Sequence, residues 1–445
     1  MIEVDTIIAG GTILTLDQNN TRIEPGALAI QGDSILKTGD KAEIMQQFTG
    51  RRHIAAENCL VMPGLVNGHT HAAMTCFRGI ADDLELMAWL NNYIFPAEAK
   101  NVAPEFVYWG SLLACAEMIK SGTTTFCDMY IFEEETIQAA KKAGLRCLLG
   151  EVLFDFPSPN FQTPAEGLAY TRSLIKKWAG DSLINIIVEP HSLYTCSPSL
   201  LKDAKNLADD FGLFYGLHLL ENQSEMAQLQ TIFGKKPLSF LKETGYLTER
   251  FLAFHGVCLD NEDLKLFADH GCKVVHNPES NMKLASGVAP VPAMLKSGIT
   301  VGLGTDGCAS NNNLDLFQEM DTAAKLHKVF SLDPTVMDAK KVTRMATCEG
   351  ARTLGLGNVT GSLEAGKKAD IIVIDLNKPH LTPLYNEYSH LVYAASGSDV
   401  DTVLINGKLV MENRRLLTID ENEVMTRVRE IAAGVKNSLR GADGN

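Results

Sequence analysis

The stretch Pro63-Gly64-Leu65-Val66-Asn67-Gly68-His69-Thr70-His71 reads as a short apolar strand that runs directly into two histidines. Side chains at positions i and i+2 of a strand point to the same face of the sheet. The imidazoles of His69 and His71 can therefore bind one metal ion from the same side. A lone His-x-His motif is weak evidence, but the distribution of the other histidines strengthens it. Of the 11 histidines in the chain, six follow or end strand-like apolar runs: His69, His71, His191, His218, His255 and His276.

Apolar runs of strand length recur from residue 63 onward, and helix-like stretches separate most of them. The stretch from Phe106 to Lys120 is the clearest helix, because its apolar residues recur at helical spacing before Ser121-Gly122. The runs are rich in Ile, Val and Leu, as parallel strands buried on both faces are. This rhythm predicts an α/β fold with a (β/α)₈ TIM-type barrel over residues 63–362. The eight runs are Leu65–Asn67, Thr124–Asp128, Arg146–Val152, Ile184–Glu189, Phe214–Leu219, Leu252–His255, Lys273–His276 and Thr300–Gly304.

The two chain ends show short β-branched strands and turns instead. Residues 1–62 contain a hairpin signal at Gly32-Asp33. Residues 363–445 resume the same pattern and end in a helix predicted from Glu421 to Leu439. Because chain termini often lie close together, we expect residues 1–62 and 363–445 to form one small composite β-sandwich domain beside the barrel.

Composition narrows the classes of function. The chain has 445 residues, a net charge of -14 and a pI near 5.3. This acidic balance argues against a nucleic acid or an anionic membrane as partner, and no apolar run is long enough to span a bilayer. Acids stand where a signal peptide would carry Lys or Arg, and the 10 cysteines form no Cys-x-x-Cys pair. We expect a cytoplasmic protein with reduced thiols, and a homo-oligomer is compatible with the sequence.

A metal site is predicted at the C-terminal ends of the strands, where such barrels hold their active sites. His69 and His71 follow the first run, and His218 lies near the end of the fifth. Asp306, in Gly304-Thr305-Asp306-Gly307, follows the eighth run and adds a carboxylate. A catalytic zinc ion keeps about three protein ligands and a water molecule, and it sometimes expands to about five ligands. The ion lowers the pKa of that water to about 7. Any one of these residues alone could have a structural role, but four of them at one barrel mouth predict a metal site.

The sequence predicts one divalent metal ion per chain. Some barrels of this type hold two metal ions bridged by a carboxylated lysine at the end of a middle strand. Here the third run ends in Gly150-Glu151-Val152 and the fourth continues into Glu189-Pro190-His191, and neither contains a lysine. Histidine and carboxylate ligands suit Zn²⁺, Fe²⁺ and Mn²⁺. We expect Zn²⁺, with Fe²⁺ and Mn²⁺ as alternatives.

Glu221 and His255 are candidates for proton transfer and orientation. In a dry pocket, a protonated Glu221 could donate to a substrate ring nitrogen while hydroxide attacks the adjacent carbon. Its structural alternative is an acid at a helix N-terminus. His255 could orient the hydroxide, and its alternative is a core histidine bonded to a backbone carbonyl. Asp306 lies beside the metal in this interpretation and can accept the proton of the attacking water.

Several segments together resemble one known family. They are Pro63–His71, Arg78–Asp83, His191–Ser197, His218-x-x-Glu221, His276–Gly287, Gly304–Gly307 and Gly361–Gly366. The chain resembles the amidohydrolase superfamily over nearly its whole length, in the branch of the 5′-methylthioadenosine/S-adenosylhomocysteine deaminases, near the triazine hydrolases and guanine deaminases. The resemblance implies metal-dependent hydrolytic deamination of an adenosine-type purine nucleoside. The favoured substrate is 5′-methylthioadenosine, converted to 5′-methylthioinosine and ammonia, with S-adenosylhomocysteine and adenosine as alternatives.

The resemblance also implies roles for single residues. The family's metal ligands correspond to His69, His71, His218 and Asp306, its general acid to Glu221 and its hydroxide-holding residue to His255. Glu98 matches the carboxylate that binds the ribose hydroxyls, although the residues alone favour a solvated acid at a helix cap. His191 matches a substrate-contacting imidazole. Met87 and Trp89 lie on a loop that could close over the 5′ substituent, although ordinary loop packing is the alternative.

Glu151 is a departure from the family pattern. Some members have an arginine at the aligned position, which helps to bind the amino-acid part of S-adenosylhomocysteine. Because an acid cannot pair with a carboxylate, Glu151 predicts poor turnover of that substrate.

Two other functions remain open from the sequence. The first is a guanine- or triazine-type aminohydrolase or chlorohydrolase on the same scaffold, which would not need a ribose-binding residue such as Glu98. The second is a catalytically silent barrel that acts as a binding or scaffold protein. Loss of a metal ligand would indicate such a protein, and no ligand position has lost its residue. There is neither a His-Glu-x-x-His helix nor a Pro-Cys-x-x-Cys motif, which disfavours other zinc chemistries.

Overall fold

The computed structural model describes residues 1–440. The last five residues of the predicted composite domain, 441–445, lie outside the described residues. The strands are β1 (Ile2–Ala9), β2 (Thr12–Leu14), β3 (Arg22–Ile23), β4 (Gly26–Gln31), β5 (Ser34–Asp40), β6 (Phe48–Ala55), β7 (Cys59–Pro63), β8 (Leu65–Thr70), β9 (Thr123–Tyr130), β10 (Arg146–Leu153), β11 (Ile184–Ile186), β12 (Glu189–Pro190), β13 (Tyr215–Leu219), β14 (Phe251–His255), β15 (Lys273–His276), β16 (Thr300–Leu303), β17 (Ile371–Asp375), β18 (Val400–Ile405), β19 (Lys408–Glu412) and β20 (Arg415–Leu416).

Most α-helices lie between these strands in the sequence. They are α1 (Lys41–Gln47), α2 (Leu86–Trp89), α3 (Phe95–Asn101), α4 (Pro104–Lys120), α5 (Glu133–Ala143), α6 (Pro164–Trp178), α7 (Pro198–Phe211), α8 (Gln223–Phe233), α9 (Pro237–Glu243), α10 (Asn261–His270), α11 (Pro278–Lys283), α12 (Val291–Lys296), α13 (Leu316–Ser331), α14 (Ala339–Met345), α15 (Cys348–Thr353), α16 (Glu387–Tyr393) and α17 (Glu421–Arg440). A π-helical turn, Leu90–Ile94, joins α2 to α3. Within residues 1–440, no helix combines the length and apolarity needed to cross a bilayer.

The central strands form two parallel sheets. One has the order β11-β10-β9-β8, with β12 also paired to β10, and the other has the order β13-β14-β15-β16. All eight predicted apolar runs form strands, which confirms them, although the fourth run is divided into β11 and β12. Every residue of β8, β9 and β10 is buried, because the sheet is covered on both faces.

Hydrogen bonds connect the two parallel sheets along both of their outer edges. On one side the Gly216 amide donates to the Val188 carbonyl at 3.1 Å, and the His218 amide donates to the His191 carbonyl at 2.9 Å. On the other side the Asp306 amide donates to the His69 carbonyl at 2.9 Å. Since the strands are parallel, their C-terminal ends meet at one face. The polar residues at the strand ends therefore lie together.

The chain ends form two further sheets. One has the order β5-β4-β1-β6, and the other has seven strands in the order β20-β19-β18-β17-β7-β2-β3. The seven-stranded sheet contains strands from both ends of the chain, because β7 pairs with β17 in antiparallel register. The antiparallel pair of β4 and β5 confirms the predicted hairpin at Gly32-Asp33.

A buried ion pair connects the seven-stranded sheet to the central strands. Arg146, the first residue of β10, donates from Nε to Asp370 Oδ2 at 2.8 Å and from Nη2 to Asp370 Oδ1 at 3.2 Å. Asp370 immediately precedes β17, and both side chains are almost fully buried. Asn406 Oδ1 and the Ser182 carbonyl accept further bonds from the guanidinium. The pair fixes the sheet of the chain ends against the central strands.

Candidate active site

The predicted site residues converge on one cleft at the C-terminal ends of the central strands. The cleft offers about 620 Å³ of space, part of it open to solvent. Eight of the nine predicted site residues line it, and the ninth, His69, is fully buried directly behind it. The eight are His71, Trp89, Glu98, His191, His218, Glu221, His255 and Asp306.

The four candidate metal ligands lie close together at the base of the cleft. Asp306 Oδ1 is 3.1 Å from His71 Nε2 and 3.6 Å from His69 Nε2. The ring centroid of His218 is 5.0 Å from that of His69 and 5.4 Å from that of His71. The potential ligand atoms of His69, His71 and Asp306 all lie within 4.8 Å of one another, and the same holds for His69, His218 and His255. Both groups contain His69, so ligand atoms from each group could reach a single ion lying between them.

The bonding of the imidazoles fits a metal ion. His71 Nδ1 lies against the Met129 carbonyl, and His218 Nδ1 lies 2.9 Å from the His191 carbonyl. If each Nδ1 donates to its carbonyl, the lone pair on Nε2 is free for a metal, as is usual for metal-binding histidines. Both ring nitrogens of the buried His69 lack a hydrogen-bond partner among residues 1–440. A buried polar atom without a partner is costly, and a metal ion would supply one.

Asp306 is held as an anion beside these rings. Burial alone would raise the pKa of Asp306, but His71 and the neighbouring imidazoles hold it well below its ordinary value. The hydroxyls of Ser280 and Ser310 donate to Oδ2 at 2.6 and 2.8 Å. Asp306 has a φ of 63°, and His255 has a φ of 70°. This left-handed backbone is unusual for residues other than glycine, and such strain often occurs at functional sites.

Glu221 and His255 face each other across the cleft. Glu221 Oε2 lies 3.9 Å from His255 Nε2, and His255 Nδ1 lies 2.8 Å from Asn281 Oδ1. Burial raises the pKa of Glu221, with the His255 imidazole opposing the shift. The Glu225 carboxylate accepts from the amides of Leu220 and Glu221 at 3.0 and 2.7 Å, which fixes the loop. A carboxyl group in this environment is suited to donate a proton.

His191 lies next to the candidate metal ligands and is uncharged. Burial lowers the pKa of His191 to about 3. Its ring centroid is 4.7 Å from that of His218 and 5.0 Å from that of Phe154. Its Nδ1 lies 3.0 Å from the Thr195 hydroxyl. His191 can therefore contact a neutral, planar ligand.

The helical segment from α2 to α3 forms one wall of the cleft. Trp89 donates from Nε1 to the Ala81 carbonyl at 3.1 Å and lines the cleft with its ring. Glu98 is buried, and burial raises its pKa to about 7. The π-helical turn between them changes the helical register, so that Trp89 and Ile94, five residues apart, both line the cleft. Such turns are frequent at functional sites.

Glu151 does not lie in the cleft, so the sequence-based interpretation of this residue is wrong. Its carboxylate accepts from the amides of Phe132 and Glu133 at 3.2 and 2.9 Å, and from Asn160 Nδ2 at 2.8 Å. It therefore binds the N-terminal turn of α5 and cannot repel a substrate carboxylate. Met87 is half-buried and also lies outside the cleft lining.

Sequence reasoning missed Asp128, which holds the loop of the candidate ligands. This buried residue accepts from the Thr70 hydroxyl at 2.5 Å and from the Ala72 amide at 2.6 Å, both through Oδ1. Thr70 and Ala72 flank His71 on either side. The only signal in the sequence was the position of Asp128 at the end of the second apolar run. Asn281, which is hydrogen-bonded to His255, lies in the segment His276–Gly287, but its spacing in the sequence indicates no role for it.

Replacing Asp128 with alanine is expected to weaken metal binding about tenfold to a hundredfold, the usual scale for residues that orient metal ligands. Asp128→Asn keeps an oxygen acceptor at Oδ1 and should bind metal almost as the wild type does. Chelator competition with metal quantification would compare the two variants, with about one metal ion per chain expected in the wild type. Equal losses in both variants would contradict this role.

The chain is similar to known proteins over nearly its whole length. The model of the amidohydrolase family matches residues 60–410. A 5-methylthioadenosine/S-adenosylhomocysteine deaminase of Syntrophus aciditrophicus is 67% identical over 440 residues, 99% of each chain. A 5'-deoxyadenosine deaminase of Methanosarcina barkeri is 44% identical over 430 residues, 96% of this chain and 98% of the relative.

A solved structure extends the similarity to the whole fold. It is an adenosine deaminase from Xanthomonas campestris with bound zinc, 37% identical, with a TM-score of 0.96 over 98% of this chain and 99% of that chain. From the family match and the identity to these relatives, the chain belongs to the amidohydrolase family.

Proposed function

We propose that this chain is a metal-dependent hydrolase that deaminates an adenosine-type nucleoside, with 5′-methylthioadenosine as the favoured substrate. The observation that carries the proposal is the convergence of four candidate metal ligands with Glu221 and His255 at the base of one cleft. The names of the relatives from Syntrophus aciditrophicus and Methanosarcina barkeri point to the same reaction.

His69, His71, His218 and Asp306 would hold one divalent metal ion, with Zn²⁺ favoured by the three imidazoles and one carboxylate. When bound there, the ion lowers the pKa of a water molecule to about 7. Asp306, which is anionic, would accept the proton that this water loses. His255, fixed by Asn281, would orient the attacking oxygen.

Glu221 would supply the proton that the purine ring requires. As oxygen adds to the amino-bearing carbon, the adjacent ring nitrogen gains electrons and takes the Glu221 proton. The proton on Asp306 then passes to the amino group. The carbon–nitrogen bond breaks and ammonia leaves. The hydroxyl that came from water gives its remaining proton back to Glu221 and becomes the carbonyl of the corresponding inosine. One water is consumed for each ammonia released.

The wall of the cleft favours a neutral group at the 5′ position. Within residues 1–440, neither lysine nor arginine lines the cleft, whereas Leu86, Trp89 and Phe154 do. Lys283, which lies nearby, is bonded to Asp82 and Asn312. The carboxylate of S-adenosylhomocysteine would therefore have no cation to pair with, and a methylthio group would lie against apolar surface.

We also propose the finer features of the fold and cellular setting. The two parallel sheets would be halves of one (β/α)₈ barrel over residues 63–362, with residues 1–62 and 363–445 forming a β-sandwich domain. The edge-to-edge hydrogen bonds of the central sheets and the pairing of β7 with β17 support this division. The protein would be cytoplasmic, and its partner would be a small nucleoside rather than a nucleic acid or a membrane.

An ammonia-release screen tests the reaction and its substrate. We expect turnover of 5′-methylthioadenosine and adenosine, much weaker turnover of S-adenosylhomocysteine, and none of guanine or triazines. Glu98→Ala should lower activity on adenosine about tenfold to a hundredfold more than on 2′,3′-dideoxyadenosine, because a charge-assisted hydrogen bond contributes about 1.5–3 kcal/mol. Activity on guanine or triazines alone would replace this proposal with the heterocycle hydrolase. Equal losses on both nucleosides would remove Glu98 from the ribose site.

A further inference from the structure

Tyr130 has no part in the function described so far, although it lies in the cleft. It is the last residue of β9, is 3% exposed and lines the cleft. Its ring centroid is 6.3 Å from that of His71. Its hydroxyl is buried and makes no hydrogen bond of ordinary geometry within the described part of the chain. A buried hydroxyl without a partner is unfavourable, unless a ligand in the cleft provides one.

The polar neighbour of this hydroxyl is the carboxyl group of Glu98. Both residues line the same cleft, one from the end of β9 and the other from α3. Burial raises the pKa of Tyr130 well above its ordinary value, and the Glu98 carboxyl, which faces the hydroxyl as a hydrogen-bond acceptor, raises it further. The phenol therefore stays protonated and remains a donor. A donor and an acceptor thus lie side by side in one wall of the cleft.

A vicinal diol needs both kinds of group. Each ribose hydroxyl donates one hydrogen bond and can accept others. A carboxylate can accept from both hydroxyls but cannot donate to their oxygens. Where the bound substrate displaces water from the cleft, those oxygens would lack a donor unless the protein supplied one.

We propose that Tyr130 is a substrate-binding residue that donates a hydrogen bond to a ribose hydroxyl, while Glu98 accepts from the diol. This inference rests on the proposed function and deepens it, because it makes the ribose a recognised part of the substrate. In the complex, the phenol would gain a hydrogen bond to the ribose. Tyr130 thereby contributes to selection of ribonucleosides over deoxy analogues.

Tyr130→Phe is the discriminating variant, because it removes the hydroxyl and keeps the ring. Because the hydroxyl makes no hydrogen bond of ordinary geometry within the described part of the chain, the variant should unfold at about the same temperature as the wild type. For adenosine, kcat/KM should fall about threefold to tenfold through KM, as loss of a neutral hydrogen bond predicts. For 2′,3′-dideoxyadenosine it should change less than about twofold.

Tyr246→Phe is the matched control. The Tyr246 hydroxyl is also buried without a partner in the described part of the chain, but its ring packs against Tyr215 and Phe251, outside the cleft. This variant should leave both nucleosides unaffected. Equal losses on both nucleosides in Tyr130→Phe, a fall in its unfolding temperature, or unchanged adenosine kinetics would each overturn the role of Tyr130. If the wild type releases no ammonia from 5′-methylthioadenosine, adenosine or the dideoxy analogue, the proposed function itself fails.

Discussion

Replacing Glu221 with glutamine is expected to lower kcat for deamination by roughly 10²- to 10⁴-fold, the scale for losing a general acid. Glutamine preserves the size of the side chain but cannot supply a carboxyl proton to the purine ring. Glu221 is not among the candidate metal ligands, and its carboxyl faces His255 rather than Asp306. Metal content per chain should therefore stay unchanged. Steady-state ammonia release and elemental analysis of the same preparation measure both quantities.

Glu262→Gln provides the matched control for this substitution. Glu262 lies on the surface in α10, with its carboxylate bonded to Lys236. Its replacement should leave kcat and metal content within about twofold of the wild type, because surface ion pairs contribute little. Near-normal turnover in Glu221→Gln would assign Glu221 a structural role in the loop that follows β13.

The strands and the candidate ligands could be predicted because both follow from local pattern. Parallel strands buried on both faces are continuously apolar, so the eight runs are visible without any knowledge of the fold. Parallel strands also end at a common face, so His218 and Asp306 could be placed together although they are far apart in sequence. The geometry brings these residues within reach of His69 and His71.

The failures concern the direction of single side chains. Neighbouring residues of a strand face opposite ways, and here Val152 lines the cleft while the adjacent Glu151 binds the start of α5. An alignment that is uncertain by one residue cannot decide between these two positions. The roles of Asp128 and Asn281 depend on contacts with segments that are distant in the sequence. The periodicity of apolar residues along the chain does not predict such contacts. The π-helical turn before α3 likewise changes which residues face the cleft.

The buried pair of Arg146 and Asp370 is a second such contact, since 224 residues separate its members. Replacing Asp370 with alanine is expected to lower the free energy of unfolding by about 3–5 kcal/mol, the cost of leaving one buried charge unpaired. Arg146 would lose both of its bonds to Asp370 while remaining buried among Asn406 and Ser182. Urea unfolding followed by fluorescence and circular dichroism measures the change.

A double-mutant cycle separates the unpaired charge from the lost packing. Asp370→Leu combined with Arg146→Met removes both charges and keeps apolar bulk, so the double variant should be more stable than either single variant. The exposed pair of Arg51 and Glu3, with side chains 70% and 61% exposed, is the control. Arg51→Ala should leave the free energy of unfolding almost unchanged, because exposed ion pairs contribute little. If Asp370→Ala costs no more than Arg51→Ala, the pair does not fix the sheet of the chain ends. If the double variant is as unstable as the sum of the single variants, the two charges are not coupled. We expect instead that removing one charged partner lowers the free energy of unfolding more than removing both. The protein interior accommodates apolar side chains at a lower free-energy cost than an unpaired guanidinium.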